Sequence, residues 1–435
     1  MTNTVLFSYG IALTGSAALL WLASRLPRRR TVAAVDVASD APPELRTAVS
    51  VLTDPMNTAV MLRALGLGSI EGGFPKVDYI GYTVHGLEVD LLMLGGQSLK
   101  DWNNDETLAQ FATYFGVPKV TATSPESSWV RLQVRVYDTL ATPAAPPEVV
   151  PDDVDLEAVP VGITEHGGLW LLRILYAHIL LAGATGSGKG GVLWALLYAL
   201  GPAIKAGLVD VWMADPKGGM EFGRGQRLFV HFCWDAPEIL AMLNKAVEKM
   251  AERAARLREA GIQKHVPTVE EPLILVIIDE AAALSSFATK DEREEFRRLS
   301  GLLLSQGRAV GVSVIAALQD PSKETMPNRQ LFPVRIGLRL DEDNQIAMVH
   351  GQGAKARGAR CHEIAARTPG VGYVGEDGNP DFVRVRAFLI EKKDIDWLVE
   401  VYAPDAGVDF APQADYSDFD PEHLGDEDTD GQVAA

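Results

Sequence analysis

The 435-residue sequence predicts an α/β protein built on a mainly parallel sheet. Two observations carry this. Short apolar runs alternate with helix-like segments from Leu156 to about Ile390. That alternation is what parallel strands joined by crossover helices require. One strand–helix junction, after Ile179–Ala182, holds the glycine-rich string Gly183-Ala-Thr-Gly-Ser-Gly-Lys-Gly190. A strand, a glycine-rich loop and a helix together form a phosphate cradle. The glycines let backbone N–H groups turn inward, the helix start adds partial positive charge, and Lys189 adds a full one.

The expected strands are Ile179–Ala182, Leu208–Ala214, Leu273–Ile278, Val312–Leu318 and Val334–Leu340, with a long helix over Pro237–Ala260. The continuous run Leu273–Ile278 reads as a strand buried on both faces. It ends in Asp279 and Glu280, whose carboxylates therefore emerge at the carboxyl edge of the sheet, where open α/β folds bind ligands. Asp279 suits a Mg²⁺ shell and Glu280 suits polarisation of an attacking water. Gln319 ends the strand Val312–Leu318 and can touch a γ-phosphate. Arg308 precedes that strand, at the opposite edge, where it can reach only a neighbouring subunit's site. The string Asp215-Pro-Lys-Gly-Gly-Met-Glu221 follows the strand Leu208–Ala214. The nucleotide-binding set is Gly183, Ala184, Thr185, Gly186, Ser187, Gly188, Lys189 and Gly190. The last departs from the pattern, standing where Ser or Thr usually offers Mg²⁺ a hydroxyl.

Elsewhere the chain divides by composition. Val5–Leu22 is an uncharged, mainly apolar run of about 18 residues, just enough to span a bilayer, followed by Arg25, Arg28, Arg29 and Arg30. The positive-inside rule makes 1–30 a single-pass membrane anchor with everything after it cytoplasmic. Residues 31–44 read as a linker and 45–140 as a small α+β domain without a chemical motif. In that domain helices are expected at Thr58–Gly66 and Glu106–Phe115, and strands at Tyr82–His85 and Trp129–Val136. Residues 141–158 form a Pro-rich acidic linker, 159–390 the α/β domain, and 391–403 a short helix. The remainder, 404–435, holds ten acids and no Lys or Arg and reads as a solvated tail. The net charge of −18 is concentrated there, so it does not exclude a local basic channel. Cys233 and Cys361 form no CxxC and read as reduced thiols, and the scattered His residues suggest no zinc site.

Gly183-Ala-Thr-Gly-Ser-Gly-Lys, Asp215-Pro-Lys-Gly-Gly-Met-Glu, Val276-Ile-Ile-Asp-Glu and Arg308-Ala-Val-Gly, in this order, resemble the FtsK/SpoIIIE DNA translocases. Lys245-Ala-Val-Glu-Lys-Met-Ala-Glu-Arg, Gln319-Asp-Pro-Ser and Pro333-Val-Arg-Ile extend the likeness over about Val159–Ile390. His350-Gly-Gln-Gly-Ala, Pro369-Gly-Val-Gly-Tyr-Val and Arg384-Val-Arg-Ala-Phe-Leu-Ile resemble the actinobacterial conjugation branch. The resemblance implies a RecA-like P-loop ATPase using ATP and Mg²⁺. It further implies a hexameric ring that moves double-stranded DNA at the cytoplasmic membrane, for plasmid or integrative-element transfer. Its implied alternatives are chromosome segregation at division and a role in protein export. Phosphate contacts would come from Lys217, Arg224, Arg227, Lys323 and Arg329, each of which reads equally well as solvated surface charge. Asp320 stands where division-type members carry Arg, and no winged-helix module is expected after Ile390.

Overall fold

The computed structural model describes residue 39 and residues 41–404, excluding 149, 152, 287, 327 and 380. The N-terminal apolar run 5–22 and the acidic tail lie outside the described residues. Among the described residues no helix is long and apolar enough to cross a membrane.

The small N-terminal unit runs α1 (Arg46–Thr53), α2 (Pro55–Ala64), β1 (Lys76–Thr83), β2 (Gly86–Leu92), α3 (Leu99–Trp102), α4 (Asp105–Phe115), β3 (Lys119–Thr123) and β4 (Trp129–Arg135). The helix α2 begins earlier than its apolar spacing suggests. Asp54 caps it by accepting from the Met56 and Asn57 amides, and Pro55 fills its first turn. An antiparallel sheet in the order β1-β2-β4-β3 packs on the helices around Trp102, Phe111 and Phe115. The expected strand Tyr82–His85 is instead a hairpin: β1 stops at Thr83, and Val84 and His85 form the turn. A four-residue alternation cannot reveal a reversal that lacks an Asn-Gly signal. Gly86 marks it, because a Cβ there would collide with the Val134 carbonyl of β4.

The second unit supplies β5 (Val159–Thr164), β6 (Leu169–Leu172), β7 (Ile179–Ala182), α5 (Lys189–Lys205), β8 (Val209–Ala214), β9 (His231–Cys233), α6 (Ala236–Ala260) and β10 (Leu273–Ile278). It continues with α7 (Ala282–Ser285), α8 (Lys290–Gln306), β11 (Val312–Leu318), β12 (Val334–Gly337), α9 (Asp343–His350), β13 (Val371–Glu376), β14 (Val383–Ala387) and α10 (Lys392–Tyr402). These strands form one sheet in the order β6-β5-β14-β13-β12-β7-β11-β10-β8-β9. From β12 to β9 every pairing is parallel. From β12 back to β6 every pairing is antiparallel. The sheet is thus mixed and mostly parallel. Its antiparallel half is built from two hairpins, β5–β6 and β13–β14, which no alternation of strands with helices marks.

The interior strand β10 shows why the sheet is buried twice. Leu273, Leu275 and Ile277 of β10 face the core that contains α5. Ile274, Val276 and Ile278 face the core formed by α6 and α8. Helix α10 closes the first core: Trp397 packs against Tyr198, and the Gly201 position has no room for a Cβ beside the Tyr402 ring.

Three arginines fasten the two units. Arg384 of β14 grips the Asp138 carboxylate with both terminal nitrogens, at 2.7 and 2.8 Å. Arg360 donates to the Asn103 carbonyl at 2.9 Å, and Arg135 donates to the Glu165 carbonyl at 3.1 Å. The Arg384 side chain is 9% exposed against 39% for Asp138, so loss of the guanidinium frees a carboxylate that water can reach. Arg384→Ala should therefore cost about 2 kcal/mol, the range of a hydrogen-bonded charged pair, rather than the larger penalty of a fully buried one. A lowered midpoint of denaturant unfolding would register it.

Candidate functional site: a phosphate cradle beside two acids

The carboxyl ends of β7, β11, β10 and β8 converge on one edge of the sheet. The loop from Gly183 to Gly188 leaves β7 and wraps the start of α5. Gly186 and Gly188 have φ of 72° and 98°, the left-handed region that favours glycine. At Gly188 space also forbids a side chain, because a Cβ would collide with the Gly370 backbone nitrogen. That closeness is a bond: the Gly370 N–H donates to the Ser187 carbonyl at 2.8 Å. On the other flank the Ala184 N–H donates to the Arg339 carbonyl at 2.8 Å. Arg339 returns a bond from Nη2 to the Thr185 carbonyl, also at 2.8 Å.

Lys189, 7% exposed, donates Nζ to the Gly183 carbonyl at 2.7 Å. Burial lowers its pKa, and Glu280 and Asp279 pull it back upward. An ammonium held in a dry loop by one carbonyl has unused donors, which suits a phosphate.

The two acids sit opposite. Asp279, 1% exposed, accepts from the Lys217 ammonium at 2.6 Å. Glu280 is 8% exposed; its Oε1 accepts from the Gln319 N–H at 3.4 Å, while its buried Oε2 has no partner. The Gln319 side chain in turn accepts from the Thr185 hydroxyl at 2.8 Å. This chain of contacts exists because β11 lies between β7 and β10, so Gln319 stands between the loop and the acids. A buried carboxylate oxygen left without a donor, facing a loop with an underused ammonium, fits a site that takes a nucleotide triphosphate, a divalent cation and a water.

Burial pushes the Asp279 carboxyl up to about 6, with Lys217 acting in the opposite direction. In the metal-free protein the folded pKa then exceeds the unfolded value. The stability this group lends is complete below about pH 4 and is lost as pH rises through 6. Asp279→Asn should therefore raise the melting temperature of the metal-free protein above pH 6 and leave it unchanged near pH 4. The gain is at most about 3 kcal/mol, the free energy that separates a carboxyl titrating near 6 from an ordinary one. Thermal scans in chelator at both pH values test the sign.

The remaining candidates are dispersed. Arg308 is exposed in the turn before β11, at the edge opposite the phosphate loop. Lys217, grouped by sequence with the DNA contacts, is instead turned inward onto Asp279, because the loop after β8 doubles back at Gly218 and Gly219, both with positive φ. Arg224 pairs with Asp396 of α10 at 2.5 Å. Arg329 donates to the Pro321 carbonyl at 2.6 Å, and Arg227 and Lys323 are exposed. Three residues at the site are given no role by the sequence reading: Arg339, and Asp215 and Glu221, which bound the string noted after the second strand. Asp215 is fully buried and accepts from the Glu221 and Phe222 amides, both at 3.0 Å, so it shapes the loop that carries Lys217. Its position at the end of a buried strand was the available signal.

Residues 154–271 match the model of the FtsK/SpoIIIE family. The chain is 28% identical over 336 residues to the transfer protein TraSA of Streptomyces ambofaciens, covering 72% of this chain and 78% of that protein. It is 25% identical over 308 residues to the DNA translocase FtsK of Streptococcus pyogenes serotype M3, covering 63% of this chain and 35% of the relative. The chain thus spans about a third of the length of that FtsK. Among solved structures, the pCW3 conjugation coupling protein TcpA, in its monomer form with ATPgS, aligns with a TM-score of 0.52 at 20% identity. That alignment covers 79% of this chain and 97% of TcpA and shows a shared fold.

Proposed function

From the premise that this chain carries an FtsK/SpoIIIE-family domain over residues 154–271, we propose that it is a P-loop ATPase that drives double-stranded DNA in conjugative transfer. The observation that carries the reading is the continuous contact from Thr185 through Gln319 to Glu280, with Lys189 facing it. The similarity to the transfer protein TraSA, 28% identity over 72% of this chain, supports the transfer reading.

The chain's residues divide the work. Backbone N–H groups of Gly183–Gly188 and the start of α5 hold the phosphates, and Lys189 neutralises them. Glu280 orients a water and takes its proton. Gln319 links the state of the phosphate end, through Thr185, to the acid. Mg²⁺, when bound, supplies charge neutralisation on the phosphates, and Asp279 would help hold it once Lys217 gives way. Arg308, remote from its own loop, would complete a neighbour's site in a hexameric ring. Arg227, Lys323 and Arg329 would face DNA phosphates, with six copies concentrating the charge around a pore. The apolar run Val5–Leu22 would anchor the ring in the cell membrane with its ATPase domains cytoplasmic.

ATP hydrolysis by the full chain, measured with and without linear duplex DNA, tests the reading. Several-fold stimulation is expected. Hydrolysis that ignores duplex DNA in an assembled ring would reject DNA as the substrate. Mixing Arg308→Ala with Glu280→Ala subunits should restore part of the activity each lacks alone. No recovery on mixing would rule out sharing of Arg308 between neighbours.

A further inference from the structure

Gly190 raises a question that the backbone does not answer. It lies in the first turn of α5 and is not among the glycines with positive φ. A serine or threonine could therefore adopt its conformation. What fills the space beside it is the end of the exposed Glu221 side chain. A Cβ at Gly190 would collide with the Glu221 carboxylate oxygen Oε1, with the carboxylate carbon at 3.0 Å. The carboxylate stands where the side chain of an ordinary P-loop hydroxyl would begin.

The Glu221 backbone is held beside the helix by its own loop, with the carboxylate exposed. Asp215, wholly buried, accepts from the Glu221 and Phe222 amides. Phe222 is fully buried and stacks on Trp194 of α5, with ring centroids 5.1 Å apart. These contacts press the loop onto the helix that carries Gly190. The Glu221 charge acts on Lys189, Lys217 and Asp279, which places it in the same electrostatic cluster. The phosphate loop itself offers two hydroxyls, Thr185 and Ser187. Thr185 is committed to Gln319, and Ser187 is buried without a hydrogen-bond partner in the loop wall. The unpartnered Oε2 of Glu280, on a residue more than nine-tenths buried, points independently to an absent cation or water at this site.

We propose that Glu221 takes the place of the missing P-loop hydroxyl and is a ligand of the Mg²⁺ that accompanies the nucleotide. The inference rests on the P-loop ATPase reading and assigns a role to a loop outside the P-loop itself. A carboxylate is a harder and more strongly charged ligand than a hydroxyl, so it suits Mg²⁺ at least as well. The Gly190–Glu221 pair then acts as one unit: glycine makes the room and glutamate fills it.

The test reads metal retention rather than turnover. Binding of a fluorescent ADP analogue to the full chain is titrated with Mg²⁺, and bound Mn²⁺ is counted by electron paramagnetic resonance in the presence of ADP. Glu221→Gln should raise the metal concentration for half-saturation about tenfold or more, while metal-free nucleotide binding persists. Gly190→Ser in that background should restore it. A second pair leaves Glu221 untouched. Gly190→Ala displaces the carboxylate and offers nothing, so it should weaken metal retention to the same degree. Gly190→Ser displaces it but supplies a hydroxyl, so it should not. Equal metal affinity in wild type and Glu221→Gln would overturn the assignment, as would identical behaviour of the two Gly190 variants. Failure of the wild-type chain to bind the nucleotide at all, with or without metal, would instead reject the P-loop reading beneath it.

Discussion

Lys189→Ala is expected to lower ATP hydrolysis by about three orders of magnitude, roughly 4 kcal/mol of transition-state stabilisation. The lysine is 7% exposed, so its charge acts across a short distance with little water between. Among the described residues its ammonium donates only to the Gly183 carbonyl, which leaves donors for phosphate oxygens. The same burial makes the loss separable from misfolding. The ammonium is held at an electrostatic cost, since burial lowers its pKa. Its removal should leave the melting temperature of the nucleotide-free protein level or slightly raised. The rise in melting temperature on adding ATP should vanish in the variant, because that shift measures binding to the folded state alone. Phosphate release and paired thermal scans give both readings. Turnover at the wild-type rate would mean that the loop does not hold the reacting phosphates.

Glu280→Gln should separate binding from chemistry. The substitution keeps size and keeps an oxygen to accept from the Gln319 N–H, so the contact through Gln319 to Thr185 survives. What it removes is the charge on the unpartnered Oε2, the atom placed to take a proton from water. Turnover should fall by about 10²- to 10⁴-fold, the usual worth of a positioned general base. Nucleotide affinity should stay within a few-fold, so the ATP-dependent thermal shift should persist. That pattern, with the shift lost in Lys189→Ala and kept in Glu280→Gln, separates phosphate holding from water activation. Equal loss of binding in both variants would move Glu280 from the reacting water to the phosphates.

The parts of this site that could be read from the chain are those where chemistry coincides with a local pattern. β10 is a continuous apolar run, so its end and the Asp279-Glu280 pair follow from the residues alone. β11 ends at Leu318 for the same reason, with Gln319 next in line. What joins Gln319 to the acids is the sheet order, and strand order is set by long-range packing that no local spacing encodes. Lys217 shows the same limit in a side chain. Beside Arg224 and Arg227 it resembles one of a group of surface charges, yet two left-handed glycines turn it onto Asp279. Arg339 was hidden because the expected strand was carried through Leu340, whereas β12 ends at Gly337 and the following residues pair with the phosphate loop itself. The antiparallel pairs β5–β6 and β13–β14 were hidden because each is joined by a short turn without the helix that marks a crossover.

The bond from Gly370 to Ser187 has a mechanical consequence. The phosphate loop is clamped on both flanks, by Gly370 on one side and by Arg339 on the other. Gly370 leads directly into β13, which pairs with β14, and β14 carries the Arg384 grip on Asp138. A displacement of the loop by a fraction of an ångström thus has a stiff path, made of backbone bonds and one ion pair, into the small domain nearly 250 positions away in sequence from Arg384. Such a strut ties the position of the phosphate loop to that of the N-terminal domain without requiring either to change shape.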